Sequence, residues 1–242
     1  MPTRFYLPAS GAAAVSPTIN AAWEHQNVDR RPTSTTKSNT ANALTSYSPD
    51  GADHLTDEDA HFVQFVSGAL AAQTIIAQTV KIQAQCSEAD LNSLFLTWLI
   101  YAVNNAGDSV TGTLLAIRRD NTEVDNGGVV NRGDSATTTQ VILNAQDRLV
   151  FEIGLGGLPI NAVGTQGHNG SFRFGDATGS TDLPENDTNT NDALAPWLEF
   201  AETISAYVAA AGAWPVVSHS SGRHNSAGTR WQRWVRARRR RN

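Results

Sequence analysis

Hydrophobic and polar residues alternate with a period of two along much of this chain. The clearest run is Val80-Lys81-Ile82-Gln83-Ala84-Gln85-Cys86, where Val80, Ile82, Ala84 and Cys86 share one side. The run Arg148-Leu149-Val150-Phe151-Glu152-Ile153-Gly154 alternates again, with Leu149, Phe151 and Ile153 in phase. Successive side chains of a strand point to opposite faces, so both runs predict strands with one buried and one wet face. Residues 62–66, 73–79, 111–117 and 197–200 are rich in branched and aromatic side chains and predict further strands. Residues 92–103 are apolar on both faces; dense aromatics and the turn sequence Asn104-Asn105-Ala106-Gly107-Asp108 after them favour a central strand over a helix. Polar, Gly-containing stretches at 120–134 and 164–192 predict loops, and Asn144–Asp147 a turn. No strong amphipathic helical pattern follows residue 30. The expected fold is all-β: an antiparallel β-sandwich or jelly roll spanning residues 61–204.

Two flanks differ from this body. Residues 1–60 contain Pro2, Pro8, Pro17, Pro32 and Pro49 and the polar run Thr33-Ser34-Thr35-Thr36-Lys37-Ser38-Asn39-Thr40. Proline continues neither a ladder nor a helix interior, so an extended N-terminal arm is expected. One amphipathic patch, Ile19-Asn20-Ala21-Ala22-Trp23-Glu24, predicts a helical turn whose Trp23 needs a surface to bury against. Residues 205–242 form a C-terminal extension: a Ser- and Gly-containing linker, then a tail in which Trp231 and Trp234 interleave with Arg233, Arg236, Arg238 and Arg239.

Charge sharpens the division. The chain of 242 residues has a net charge of −5 and only 17% charged residues. Residues 223–242 hold eight arginines and no acid, which leaves ten Lys and Arg against 23 Asp and Glu elsewhere, a net −13. A cationic tail on an acidic body suits contact with an anionic surface, whether a neighbouring subunit, the body itself or a nucleic acid. Cys86 is the one cysteine and lies in phase with apolar neighbours, so it reads as a small core residue. No stretch approaches the roughly 20 apolar residues of a membrane span. The start, Met1-Pro2-Thr3-Arg4-Phe5-Tyr6-Leu7-Pro8, lacks the apolar core of a signal peptide, so synthesis in a cytoplasm without membrane insertion is expected.

The chemistry-bearing motifs are sparse. The acidic stretches 120–127 and 176–187 offer hard oxygen ligands, but their spacing matches no EF-hand, and they read first as turns and solvated loops. His25, His54, His61, His168, His219 and His224 form no HExxH pair, and no GxSxG elbow is present. Gly154-Leu155-Gly156-Gly157 follows a strand but opens no helix. The expectation is a chain that is not an enzyme, with no catalytic residues, metal or cofactor.

Several blocks resemble a family of structural proteins encoded by tailed bacteriophages. They are Arg4-Phe5-Tyr6-Leu7-Pro8, Ala21-Ala22-Trp23-Glu24, Ala71-Ala72-Gln73-Thr74-Ile75, Val110-Thr111-Gly112-Thr113-Leu114-Leu115-Ala116, Asp147-Arg148-Leu149-Val150, Thr181-Asp182-Leu183-Pro184-Glu185 and Pro196-Trp197-Leu198-Glu199-Phe200. The resemblance covers roughly residues 1–200 and implies a virion component with a β-sandwich body; the Arg-rich end departs from it. The expected role is capsid decoration or an accessory position, in a homo-oligomer. Contacts to other virion proteins would run through Phe5, Tyr6, Leu7 and Trp23 in the arm and Trp231, Arg233, Trp234, Arg236, Arg238 and Arg239 in the tail, with nucleic acid a less favoured partner. The alternative is a carbohydrate-binding β-sandwich on the virion surface, with Trp98, Tyr101 and Trp197 as candidate platform residues.

Overall fold

A computed structural model describes residues 1–41, 43–47, 58–88, 94–124, 128–157, 170–177, 180–185 and 194–209. Among these, the strands in chain order are β1 (Thr3–Tyr6), β2 (His25–Gln26), β3 (Arg30–Pro32), β4 (Ala43–Tyr47), β5 (Glu58–Val66), β6 (Gln73–Ile75), β7 (Thr79–Glu88), β8 (Leu94–Val103), β9 (Val110–Glu123), β10 (Val130–Thr137), β11 (Val141–Leu143), β12 (Arg148–Gly157), β13 (Gly170–Phe174) and β14 (Trp197–Phe200). No described residue is helical, so no described helix could cross a membrane. By internal contacts the chain divides into Met1–Val208 and Ala209–Asn242.

One six-stranded sheet runs β1-β14-β7-β13-β4, with β10 on the other side of β7. The second runs β2-β5-β12-β8-β9, with β3 also on β5, and a small sheet pairs β6 with β11. Pairing is antiparallel apart from β2 and β3, which lie parallel to β5.

The two alternating runs behave as their pattern dictates. Val80, Ile82, Ala84 and Cys86 of β7 and Leu149, Phe151 and Ile153 of β12 belong to one buried cluster, so their strands turn these faces to a shared core. Aromatic rings join the sheets across it: Phe62 to Phe172 and Phe65 to Phe174 at 5.2 Å, and Phe5 to Phe151 at 5.3 Å. Within the apolar stretch at 92–103, Leu94–Val103 is the strand β8, whose Leu96, Trp98 and Ile100 enter that cluster. Its turn closes through the Gly107 amide on the Asn104 carbonyl at 3.0 Å. Gly107 has φ +78°, and a Cβ there would sit 2.8 Å from Val15. Glycine meets both demands.

Four sequence expectations need correction. Residues 120–134 are not one loop: β9 continues to Glu123 and β10 begins at Val130. Their polarity misleads because the inward positions Arg132 and Asp134 are matched by Asp120 and Arg118 of β9. The 164–192 stretch contains β13, whose Phe172 and Phe174 are buried. The N-terminal sixty residues are not a free arm, since β1 to β4 all join the main sheets. Their strands are two to five residues long, too short to show a period. Residues 19–24 make a turn rather than a helix.

Candidate functional site

The outer face of the β5-β12-β8 sheet carries the densest polar cluster outside the core. Positions alternate with the core face of β12, so Val150, Glu152 and Gly154 point away from it. A bare sheet would leave these wet, yet Glu152 is completely buried. The cover is the segment from Pro17 to Pro32. Ile19 and Trp23 pack with Leu99, Tyr101, Val103 and Val150 as a second apolar cluster. The indole of Trp23 lies over Gly154, where a Cβ would meet its Cζ3 at 2.7 Å and the Ala60 carbonyl oxygen at 2.0 Å.

Glu152 holds this layer together. Its carboxylate accepts from the Trp23 indole N–H at 2.7 Å, the Tyr101 hydroxyl at 2.7 Å, Gln64 Nε2 at 2.9 Å and the Asn20 amide at 3.1 Å. Arg30 closes the cluster, donating from Nε to Gln64 Oε1 at 3.1 Å and from its guanidinium to the Pro17 carbonyl. Burial, with the Glu152 carboxylate beside it, pushes the Tyr101 phenol far above its ordinary range, so it remains a donor. A buried carboxylate is tolerated only with such complete partnering.

His61 sits at the end of this cluster, fully buried, its ring 5.6 Å from that of Trp23. Nδ1 is 2.7 Å from the Asn27 carbonyl, which can only accept, so Nδ1 carries the proton and Nε2 is bare. Nε2 has no hydrogen-bond partner. Burial lowers the pKa of His61, although Glu152 and the Asn27 and Val63 backbone favour the protonated ring.

The other sheet is covered differently. Asp182 accepts from Arg4 at 2.7 Å and the Tyr6 hydroxyl at 3.1 Å and pairs with Lys37 at 2.7 Å. Arg4 also pairs with Glu199 and stacks 3.8 Å above the ring of Trp197, whose N–H donates to the Leu183 carbonyl. Burial works against ionisation of Asp182, but hydrogen bonds from Lys37, Arg4 and Tyr6 outweigh it and hold the carboxyl below its ordinary value. Nearby, Asp176 is saturated by the hydroxyls and amides of Ser38 and Thr40. At the β9–β10 edge, Arg118 grips Asp134, which also accepts from the Trp98 indole at 2.9 Å, and Arg132 lies 3.6 Å from Asp120.

These positions correct the expected contact residues. Phe5, Leu7 and Trp23 are buried within the chain's own core, and Tyr6 is engaged by Asp182, because the segment carrying them is paired into the sheets. The tail residues Trp231, Arg233, Trp234, Arg236, Arg238 and Arg239 lie outside the described residues. Trp98, Tyr101 and Trp197 are each 1% exposed, which removes the proposed glycan platform. Of the acidic stretches, residues 125–127, 178, 179, 186 and 187 lie outside the described residues. Among the described residues no group of three or more His, Cys, Asp or Glu is placed to hold a metal ion. A groove of about 220 Å³ opens beside Phe5, Thr33, Leu70 and Ile204. Sequence reasoning missed Glu152, Gln64 and His61. Each is a polar residue flanked by apolar ones in its strand.

No protein-family model and no curated protein matches the chain. Solved structures similar to it include a CocE/NonD family hydrolase from Staphylococcus aureus, at 8% identity and TM-score 0.47, covering 83% of this chain and 36% of that one. An alpha-amino acid ester hydrolase matches at 10% identity and TM-score 0.49, covering 82% of this chain and 36% of that one. Eiger TNF from S. frugiperda matches at 10% identity and TM-score 0.22, covering 62% of this chain and 99% of that one. The expectation that the chain is not an enzyme is corrected to this extent: the solved structures similar to it include two hydrolases. The chain spans about a third of their length, and at these identities no residue role passes from them to it.

Proposed function

We propose that this chain is a structural component of a bacteriophage virion. In this reading it is a β-sandwich of jelly-roll type in a capsid decoration or accessory position, binding neighbouring virion proteins through its C-terminal end. The blocks from Arg4 to Phe200 that resemble phage structural proteins supply the class. The geometric support is that the chain's own segments lie over part of each sheet, Ile19 to Trp23 on one and the stretch around Leu183 against Trp197 on the other. A body overlaid in this way directs partner contact to the sequence that follows it. There Trp231, Arg233, Trp234, Arg236, Arg238 and Arg239 offer cations and flat rings with no acid between residues 223 and 242. Arginine pairs well with carboxylates and stacks on aromatic faces, which suits an acidic neighbouring subunit, a second copy included.

The test uses the parent phage. Particles purified from an infection are examined by mass spectrometry, once with the full chain and once with residues 210–242 deleted. The full chain is expected in the particle. The truncated chain is expected to fold, by circular dichroism, and to be lost from particles. Absence of the full chain overturns the virion assignment, and normal incorporation of the truncated chain overturns the role of the tail.

A further inference from the structure

Most buried polar groups around Glu152 are matched by a partner, and His61 is the exception. Its Nδ1–H is spent on the Asn27 carbonyl, and its bare Nε2 is enclosed without a donor or acceptor. The Pro17–Pro32 segment forms the lid of this enclosure: Asn27 holds the ring, Trp23 lies against it, and the Asn27 amide returns to the His61 carbonyl at 3.2 Å. A second proton on the ring would create a buried N–H that has no hydrogen-bond partner in the docked geometry, although the Val63 backbone favours the charge. The one way to hydrate that group is to lift the segment.

We propose that His61 makes the Pro17–Pro32 segment an acid-released clasp, docked while the imidazole is neutral and freed when Nε2 takes a proton. Release would bare the apolar strip of Leu99, Tyr101, Val103 and Val150 that Ile19 and Trp23 cover. The charged groups acting on the ring are Glu152 from β12, which favours its protonation, and Arg30 from β3, which opposes it. Glu152 is already committed to four donors, so it offers the new N–H no free lone pair in line. His25 in the same segment has its Nε2 3.0 Å from Glu58.

The sign follows from proton counting. Burial holds the docked ring below the ordinary value of 6.5 that it regains when released. The released form therefore binds more protons, and docking is complete above pH 6.5 and weakens as pH falls below it, by up to tenfold per pH unit for one proton.

Hydrogen exchange of the full chain, corrected for intrinsic rates, tests this between pH 7.5 and 5. Protection of peptides within residues 17–32 is expected to fall about tenfold per unit across the lower part of that range, while β8 and β12 peptides hold theirs. His61→Gln should flatten the dependence, and His25→Gln should leave it in place. Should His61→Gln undock the segment outright, an NMR titration of the wild-type His61 ring decides instead, with an apparent pKa below 6.5 expected. Unchanged protection in acid, the same acid response in His61→Gln, or a ring titrating at or above 6.5 overturns the proposal.

Discussion

The two main sheets are each overlaid by a piece of their own chain, and the two overlays are held by carboxylates of opposite character. Glu152 is sealed from water beneath the Pro17–Pro32 segment, and each of its contacts is a hydrogen bond made in an apolar setting. Asp182 lies in the segment that covers Trp197; its side chain is 31% exposed, and Arg4 and Lys37 hold it by charged hydrogen bonds at the edge of solvent. The same functional group thus does two kinds of work. A buried carboxylate with neutral donors fixes one geometry and is costly to disturb. A half-exposed ion pair is screened by water and salt and contributes little.

Breaking the buried side should have the largest effect. Glu152→Ala leaves the buried Trp23 indole without its acceptor and removes the shortest acceptor of the Tyr101 hydroxyl and the Gln64 amide, and should destabilise by about 3–5 kcal/mol in urea unfolding. A loss under about 1 kcal/mol would place Glu152 at the surface in solution. Next comes Gly154→Ala, whose new methyl must displace Trp23 or the β5 backbone, at about 1–3 kcal/mol. Its signature should be weakened exchange protection confined to residues 17–32. Smallest is Asp182→Asn, at no more than about 1 kcal/mol. Because the Asp182 carboxyl titrates below the ordinary 3.8 when folded, its contribution is present above that value and is lost as pH falls through the folded value. In 1 M NaCl the wild type and Asp182→Asn should converge in stability, whereas Glu152→Ala should keep its full deficit.

The two overlays also show what was readable in the residues. A core face announces itself by period, and Val80 to Cys86 and Leu149 to Ile153 sit where that period places them. The covering layer has no such mark. The two strands it supplies are two and three residues long, and its energetics rest on partners far along the chain, as with Trp23 and Glu152, 129 positions apart. Prolines in residues 1–60 suggested an extended arm, but Pro2, Pro8 and Pro17 fall outside the short strands and Pro32 ends one of them. Glu152 itself was visible as a carboxylate between Phe151 and Ile153, and alternation alone assigns such a residue to water. Only the overlying segment changes that assignment. The acidic and basic residues of β9 and β10 misled in the same way, since opposite charges paired across strands, as Arg132 and Asp120 are beneath the surface, look in one dimension like a polar loop.

The account's central claim is that the N-terminal residues form an integral layer of the body. Backbone hydrogen exchange of the intact wild-type chain at pH 7.5 tests it most directly. The amides of Asn20, Glu24, Asn27 and Thr33, each bonded to an acceptor in the structure, should exchange as slowly as those of β12. Exchange of these four amides at the rate of an unstructured peptide, with β12 still protected, would contradict it.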